Sequence, residues 1–194
     1  MKKLLLILSA LVIIHTGTYA QSPALNPVAT LLFKNVKTKL TTPQKNAIAD
    51  SLQFILSGNK DAPFAQDKES REFPFAAVLY PVDMNKDGKE EIFISFGNSY
   101  TSGHTGSSII LYVPDGKGKY YAQLGFPGTS PDLLETTSKG YNDLLIGGPG
   151  FEFPVWRWNG KAYTYYRKVK DSEYEKLPKT YIEEVSKKYQ EGLK

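Results

Sequence analysis

Gly88-Lys89-Glu90-Glu91-Ile92-Phe93-Ile94 and, further on, Gly140-Tyr141-Asn142-Asp143-Leu144-Leu145-Ile146 share one pattern: a turn glycine, two variable positions, an acid and an aliphatic run. A second pair of blocks follows, Leu111-Tyr112-Val113-Pro114-Asp115-Gly116-Lys117 and Val155-Trp156-Arg157-Trp158-Asn159-Gly160-Lys161. The first pair is offset by 52 residues (Gly88 to Gly140) and the second by 44 (Leu111 to Val155), so the first copy carries eight extra residues between its blocks. They fall in the Gly/Ser/Thr-rich stretch 97–107. Around these blocks, short β-branched and aromatic runs alternate with Gly, Asn, Asp and Pro, the texture of antiparallel strands joined by turns. Strands are predicted at 75–82, 91–96, 108–113, 119–124, 132–136, 143–147, 153–158 and 162–168. Hairpin turns are expected at Asp115-Gly116 and Asn159-Gly160, where positive φ must be tolerated.

Helices are expected on either side of this region. Thr42 is placed to cap a run through Leu56, with Pro43 at its first position and Gly58 as a stop; Ile48, Leu52 and Ile55 share a face. Residues 59–73 read as a polar loop. Near the end, Leu177, Tyr181, Val185 and Tyr189 repeat every four residues against a Lys/Glu face, predicting a second amphipathic helix. The fold class is therefore α+β: an antiparallel meander of two blade-like repeats, copy one at about 76–124 and copy two at about 132–168, braced by an N-terminal and a C-terminal helix.

Lys2 and Lys3, the apolar run Leu4 to Ile14 and the small residues ending at Ala20 form the three parts of a secretory signal. The expected mature domain is 21–194, opening on a loose Pro/Ser/Ala leader to Pro27, exported to the periplasm or the exterior and without a membrane span. The chain has no cysteine, so disulfides are excluded as a stabiliser. Removing the signal leaves 22 basic against 20 acidic residues, with the lysines scattered and no nucleic-acid-binding motif; nucleic acid is excluded as the expected partner.

Ahead of the first aliphatic run stands Asp83-Met84-Asn85-Lys86-Asp87-Gly88-Lys89-Glu90-Glu91. Ca²⁺ takes 6–8 oxygens, and acids and amides two residues apart in a coiled loop can converge on one ion. Asp83, Asn85 and Asp87 have that spacing, Gly88 permits the bend, Lys89 offers its carbonyl and Glu91 closes the set. An EF-hand would need a glutamate at the twelfth position, which is Ile94 within a strand. A polar turn without an ion accounts for Asp-Gly, but not for alternating oxygen ligands followed by Glu91. Shifted by 52, the ligand positions become Glu135, Thr137, Lys139 and Asp143. Lys139 stands where the third acid belongs, so copy two is expected to bind no calcium, with the lysine ammonium in the ion's role.

Taken together, Val82-Asp83-Met84-Asn85-Lys86-Asp87-Gly88 running into Glu91-Ile92-Phe93-Ile94, and Gly140 to Gly150, resemble FG-GAP/VCBS-type repeats, the blades of integrin-like propellers. The resemblance covers about 76–168 and implies a calcium loop flanked by strands. Two partial blades fall short of the four a closed propeller needs, which implies an open or rolled sheet.

The expected mature domain has one histidine, His104, among Ser99, Ser102, Ser107 and Ser108. A cell-envelope hydrolase using His104 with a nearby serine and acid is the alternative function, although no nucleophile-elbow pattern is present. Glu90, Glu135 and Glu152 are candidate paired carboxylates, with surface solvation the plainer reading. Tyr100 and His104 are the bulky side chains of the 97–107 insertion and its candidate partner anchors. Trp156 and Trp158 alternate, forming either a binding platform or one core-facing side of a strand, and the periodicity favours the core. The resulting expectation is a non-enzymatic Ca²⁺-binding domain that engages a protein or cell-envelope polymer, a hydrolase being one such partner.

Overall fold

The computed structural model describes residues 24–193; the expected signal segment lies outside the described residues. Two helices open the structure. In α1 (Pro27–Leu32), Asn26 caps by accepting the Ala29 N–H at 2.7 Å, where a loose leader was expected to run to Pro27. In α2 (Thr42–Leu52), the cap is Thr41 rather than Thr42: its hydroxyl faces the Gln44 amide while the Gln44 side chain accepts the Thr41 N–H, a reciprocal box. The helix stops short of Gly58, because Gln53 takes a left-handed φ of 58°. Ile55–Leu56 (β1), expected as the last turn of that helix, instead pairs as a strand with Phe64–Ala65 (β2), which lies inside the expected 59–73 loop.

Strands β3 (Ala77–Val82), β4 (Glu91–Phe96), β5 (Ser108–Pro114) and β6 (Tyr120–Pro127) form one antiparallel meander in sequence order. The β4–β5 connection is partly helical, with α3 at Ser99–Ser102 capped by Asn98. Strands β7 (Pro131–Ser138), β8 (Tyr141–Ile146), β9 (Glu152–Trp158) and β10 (Tyr163–Lys170) form a second meander. After α4 (Asp171–Tyr174), β11 (Lys179–Tyr181) returns antiparallel to β7. The last helix, α5 (Ile182–Gly192), therefore begins five residues later than the periodicity from Leu177 predicts. Pro178 interrupts the run, and Tyr181 is an exposed strand residue.

The two copies fold congruently. Tyr80 sits opposite Phe93, as Asp132 sits opposite Leu145; Ile92 sits opposite Tyr112, as Leu144 sits opposite Trp156. The agreement extends to a bulge. In β6 the register skips Gln123 across from Leu111/Tyr112, and in β10 it skips Tyr166 across from Val155/Trp156. Of the two hairpin turns, Asn159-Gly160 has Gly160 at φ 103°. In the other, the positive φ falls on Gly118, because Asp115 accepts the amides of both Lys117 and Lys119 in a longer turn.

The meander is split into two sheets stacked face to face, with no strand pairing between β6 and β7 among the described residues. Ile92, Ile94 and Tyr112 face α1, α2 and the Phe54–Phe64–Phe75 aromatic cluster. Phe93, Ile109 and Leu111 on the opposite side pack against Leu144, Ile146 and Trp158 of the second sheet. The far side of that sheet, Leu134, Leu145, Val155 and Val169, is covered by Phe153, Tyr174 and Leu177. The helices α1 and α2 thus occupy the side of the stack where a preceding sheet would lie.

Candidate ion loop and its counterpart in the second repeat

The turn between β3 and β4 coils through two left-handed positions, Lys86 (φ 58°) and Gly88 (φ 85°). Its polar side chains fold back onto its own amides. Asp83 Oδ2 accepts Gly88 N–H at 3.0 Å, Asn85 Oδ1 accepts Asp87 N–H at 3.1 Å, and Asp87 Oδ1 accepts Lys89 N–H at 2.8 Å. Glu91 closes the loop from the first position of β4, accepting Met84 N–H through Oε2 at 2.9 Å. Asn85 also donates to the Tyr141 hydroxyl at 3.0 Å, tying the loop to the second sheet.

Two oxygens are left over. Asp83 Oδ1 and Glu91 Oε1 are buried and have no hydrogen-bond partner. Glu91 is fully buried, and that burial pushes its carboxyl up to about 7; Asp87 and Asp83 push the same way, opposed by the Met84 amide and the nearby Tyr141 hydroxyl. Among the described residues, no three acidic or histidine side chains already converge as a metal cage.

In the second copy the acid matching Glu91 is Asp143, and it is paired. Arg157 Nε donates to Oδ1 at 2.9 Å and Nη2 to Oδ2 at 2.6 Å, and Thr136 donates to Oδ2 at 2.6 Å. Asp143 is buried while the guanidinium is part exposed, its face 3.5 Å from the centroid of Tyr166, the bulged residue. The Asp143 hydrogen bond is the main cause holding the guanidinium above its usual range. The expected cation, Lys139, is not the one used. It occupies a left-handed turn position (φ 51°) with its side chain against Gly160. One step beyond the Ile92–Tyr112 pair, the first-copy residue across from Glu91 is Val113, a buried aliphatic.

The other candidate residues are dispersed. Tyr100 is 59% exposed and stacks flat on the exposed Phe73, with centroids 4.0 Å apart. His104 is exposed on a 3-10 turn, and the Ser102 and Ser108 hydroxyls bond one another at 2.8 Å. Among the described residues, no hydrogen bond links His104 to a serine or an acid. Trp158 is in the inter-sheet core against Tyr141, and Trp156 packs on Phe126 with a buried, unpartnered Nε1. Both tryptophans thus follow the core-facing expectation.

Glu135 and Glu152 are exposed, the latter 3.2 Å from Lys168. Glu90 departs from the surface reading: it is buried, accepting the Thr38 hydroxyl, the Lys39 amide at 2.7 Å and the Tyr189 hydroxyl at 3.1 Å. It ties the N-terminal segment to α5. Glu91 is the first residue of β4 and Glu90 immediately precedes it, so in an extended chain the two side chains point to opposite sides. No family model, curated protein or solved structure matches the chain.

Proposed function

We propose that residues 83–91 bind one Ca²⁺ and that the protein is an exported, non-enzymatic calcium-binding domain presenting its 97–107 insertion to another macromolecule. The observation that carries the ion reading is the pair of unpartnered buried oxygens, Asp83 Oδ1 and Glu91 Oε1. A buried carboxylate oxygen without a partner is costly, and a hard cation compensates two of them at once. The donor set fits calcium. Asp83, Asn85, Asp87 and Glu91 supply carboxylate and amide oxygens and Lys89 a carbonyl, leaving the rest of a 6–8-fold shell to water. The proposed likeness to FG-GAP/VCBS-type repeats rests on the congruent meanders and on the loop between β3 and β4.

The partner reading rests on the insertion. Copy two joins the corresponding strands with eight fewer residues, so the sheet itself does not require the extra length. The insertion is nevertheless ordered by the Asn98 cap and places an exposed Tyr100–Phe73 stack on the surface. Tyrosine is among the residues enriched at the energetic centres of interfaces. A protein or cell-envelope polymer, a hydrolase included, is the class of partner proposed. The export reading rests on residues 1–20; among the described residues, no helix is long and apolar enough to cross a membrane.

A pull-down from envelope extract, with calcium and with chelator, tests the whole reading. Specific capture that survives Lys139→Ala but is lost in Tyr100→Ala is the expected result. Undiminished capture by Tyr100→Ala moves the contact away from the insertion.

A further inference from the structure

On the far side of the second sheet from the ion loop, a cavity of about 290 Å³ opens between β7, β8, β9 and α4. Its apolar wall is Leu145 and Phe153, its rim carries Thr129 and Ser130, and three acids, Asp132, Asp171 and Glu175, line it. Asp132 is the unusual one. It is only 5% exposed, on the same face of the sheet as Leu134 and Leu145. The matching residue in copy one, opposite Phe93 as Asp132 is opposite Leu145, is Tyr80, so the repeat does not demand an acid here.

One Asp132 oxygen serves the fold, since Oδ2 accepts the Tyr174 hydroxyl at 2.6 Å and so fixes α4 over the sheet. Oδ1 takes none of the hydrogen bonds formed among the described residues, and the residue lines the cavity. The nearby cation Lys179 is engaged elsewhere: it donates to the Tyr174 carbonyl at 2.8 Å and lies 4.0 Å from the centroid of that ring. Burial is the main cause pushing the Asp132 carboxyl up, opposed by the Tyr174 hydrogen bond and Lys179, with Glu183 and Glu175 adding smaller upward pushes. The apolar wall of Leu145 and Phe153 beside the acid favours an organic cation over a bare ion.

We infer that this cavity is a binding site for a small primary ammonium compound with an apolar body. The ammonium group donates to the free oxygen of Asp132, and its hydrocarbon or aromatic part packs on Leu145 and Phe153. A volume near the lower end for ligand pockets (~300 Å³) limits the guest to a small molecule. The acid excess around the mouth repels carboxylates and phosphates. This inference is independent of calcium, whose loop lies on the opposite side of the sheet.

The test is calorimetry of the purified protein with phenethylamine, 2-phenylethanol and phenylacetate, which share a ring and differ in head group. Saturable binding of the amine alone is expected, weakened about tenfold or more in Asp132→Asn, since the charge-assisted hydrogen bond to the ammonium is lost. Asparagine keeps an acceptor for Tyr174, so the fold is preserved. Backbone resonances of the unmutated protein give a second readout: Gly147 and Gly148 shift with the amine and not with phenylacetate. Equal amine binding by Asp132→Asn, comparable binding of phenylacetate, or an amine titration that moves neither glycine overturns the assignment.

Discussion

In the second repeat Asp143 meets a guanidinium supplied by the neighbouring strand; in the first, Glu91 stands at the same place in the register and faces Val113. Both acids are buried at the start of an aliphatic strand, behind a turn with a left-handed glycine. One copy therefore carries its counter-charge in its own sequence, with Tyr166 stacked behind the guanidinium. The other leaves an oxygen of Glu91 and one of Asp83 unpartnered, and surrounds them with a loop rich in oxygen donors. The comparison teaches that the second repeat answers its buried acid with an arginine of its own, while the first leaves two oxygens for the proposed divalent ion. On the proposed reading, the second repeat carries its own counter-charge, whereas the first is coupled to calcium.

The largest break comes from removing the internal cation. Arg157→Ala strands Asp143 in the core and is expected to lower stability by about 3 kcal/mol, the lower end for a broken buried pair because the guanidinium is part exposed. Urea unfolding measures it. Combining Asp143→Asn with Arg157→Met should recover much of the loss, and an additive double variant would show that the two do not act as a pair.

Next comes the external cation. At calcium a hundredfold above its Kd, native-state binding should raise stability by about 2.7 kcal/mol, read as a melting shift absent with chelator and absent in Glu91→Gln. Unchanged melting with calcium or chelator would remove the ion from the account of the first repeat.

A more pointed exchange imports the second repeat's solution into the first. Val113→Arg places a guanidinium across from Glu91 and is expected to weaken calcium binding roughly tenfold, or 1.4 kcal/mol. Undiminished calcium affinity in a folded Val113→Arg protein would break the proposed equivalence.

The smallest effect concerns the insertion that only the first repeat has. Tyr100→Ala forfeits the stack on Phe73 and should cost about 0.5–1 kcal/mol while leaving calcium binding untouched. A loss well beyond that in thermal melting would make the insertion structural.

The repeat was legible because a turn glycine, an acid and an aliphatic run recur at fixed offsets, and both sheets follow the alternation those blocks announce. The pairing of Asp143 was not. Arg157 is fourteen residues away and meets the acid only through the β8–β9 register, so the nearer lysine at a ligand-equivalent position looked like the cation. Reading the two repeat blocks as paired strands brings Arg157 opposite Asp143. Glu90 was missed for a similar reason, since its partners at 38, 39 and 189 come from both ends of the chain. The start of α5 was misplaced because Leu177 and Tyr181 fit a helical period by chance, while Pro178 and pairing with β7 decide for a strand. Asp132 carried no local pattern at all; only its mismatch with Tyr80 in the other copy marks it.

The central claim is that the first repeat takes its counter-charge from solution and the second does not. Isothermal titration of calcium into the protein, into Asp87→Ala and into Lys139→Ala tests it most directly. The account predicts one ion per chain, abolished by Asp87→Ala and unaltered by Lys139→Ala. Two ions per chain, or undiminished binding in Asp87→Ala, would contradict it.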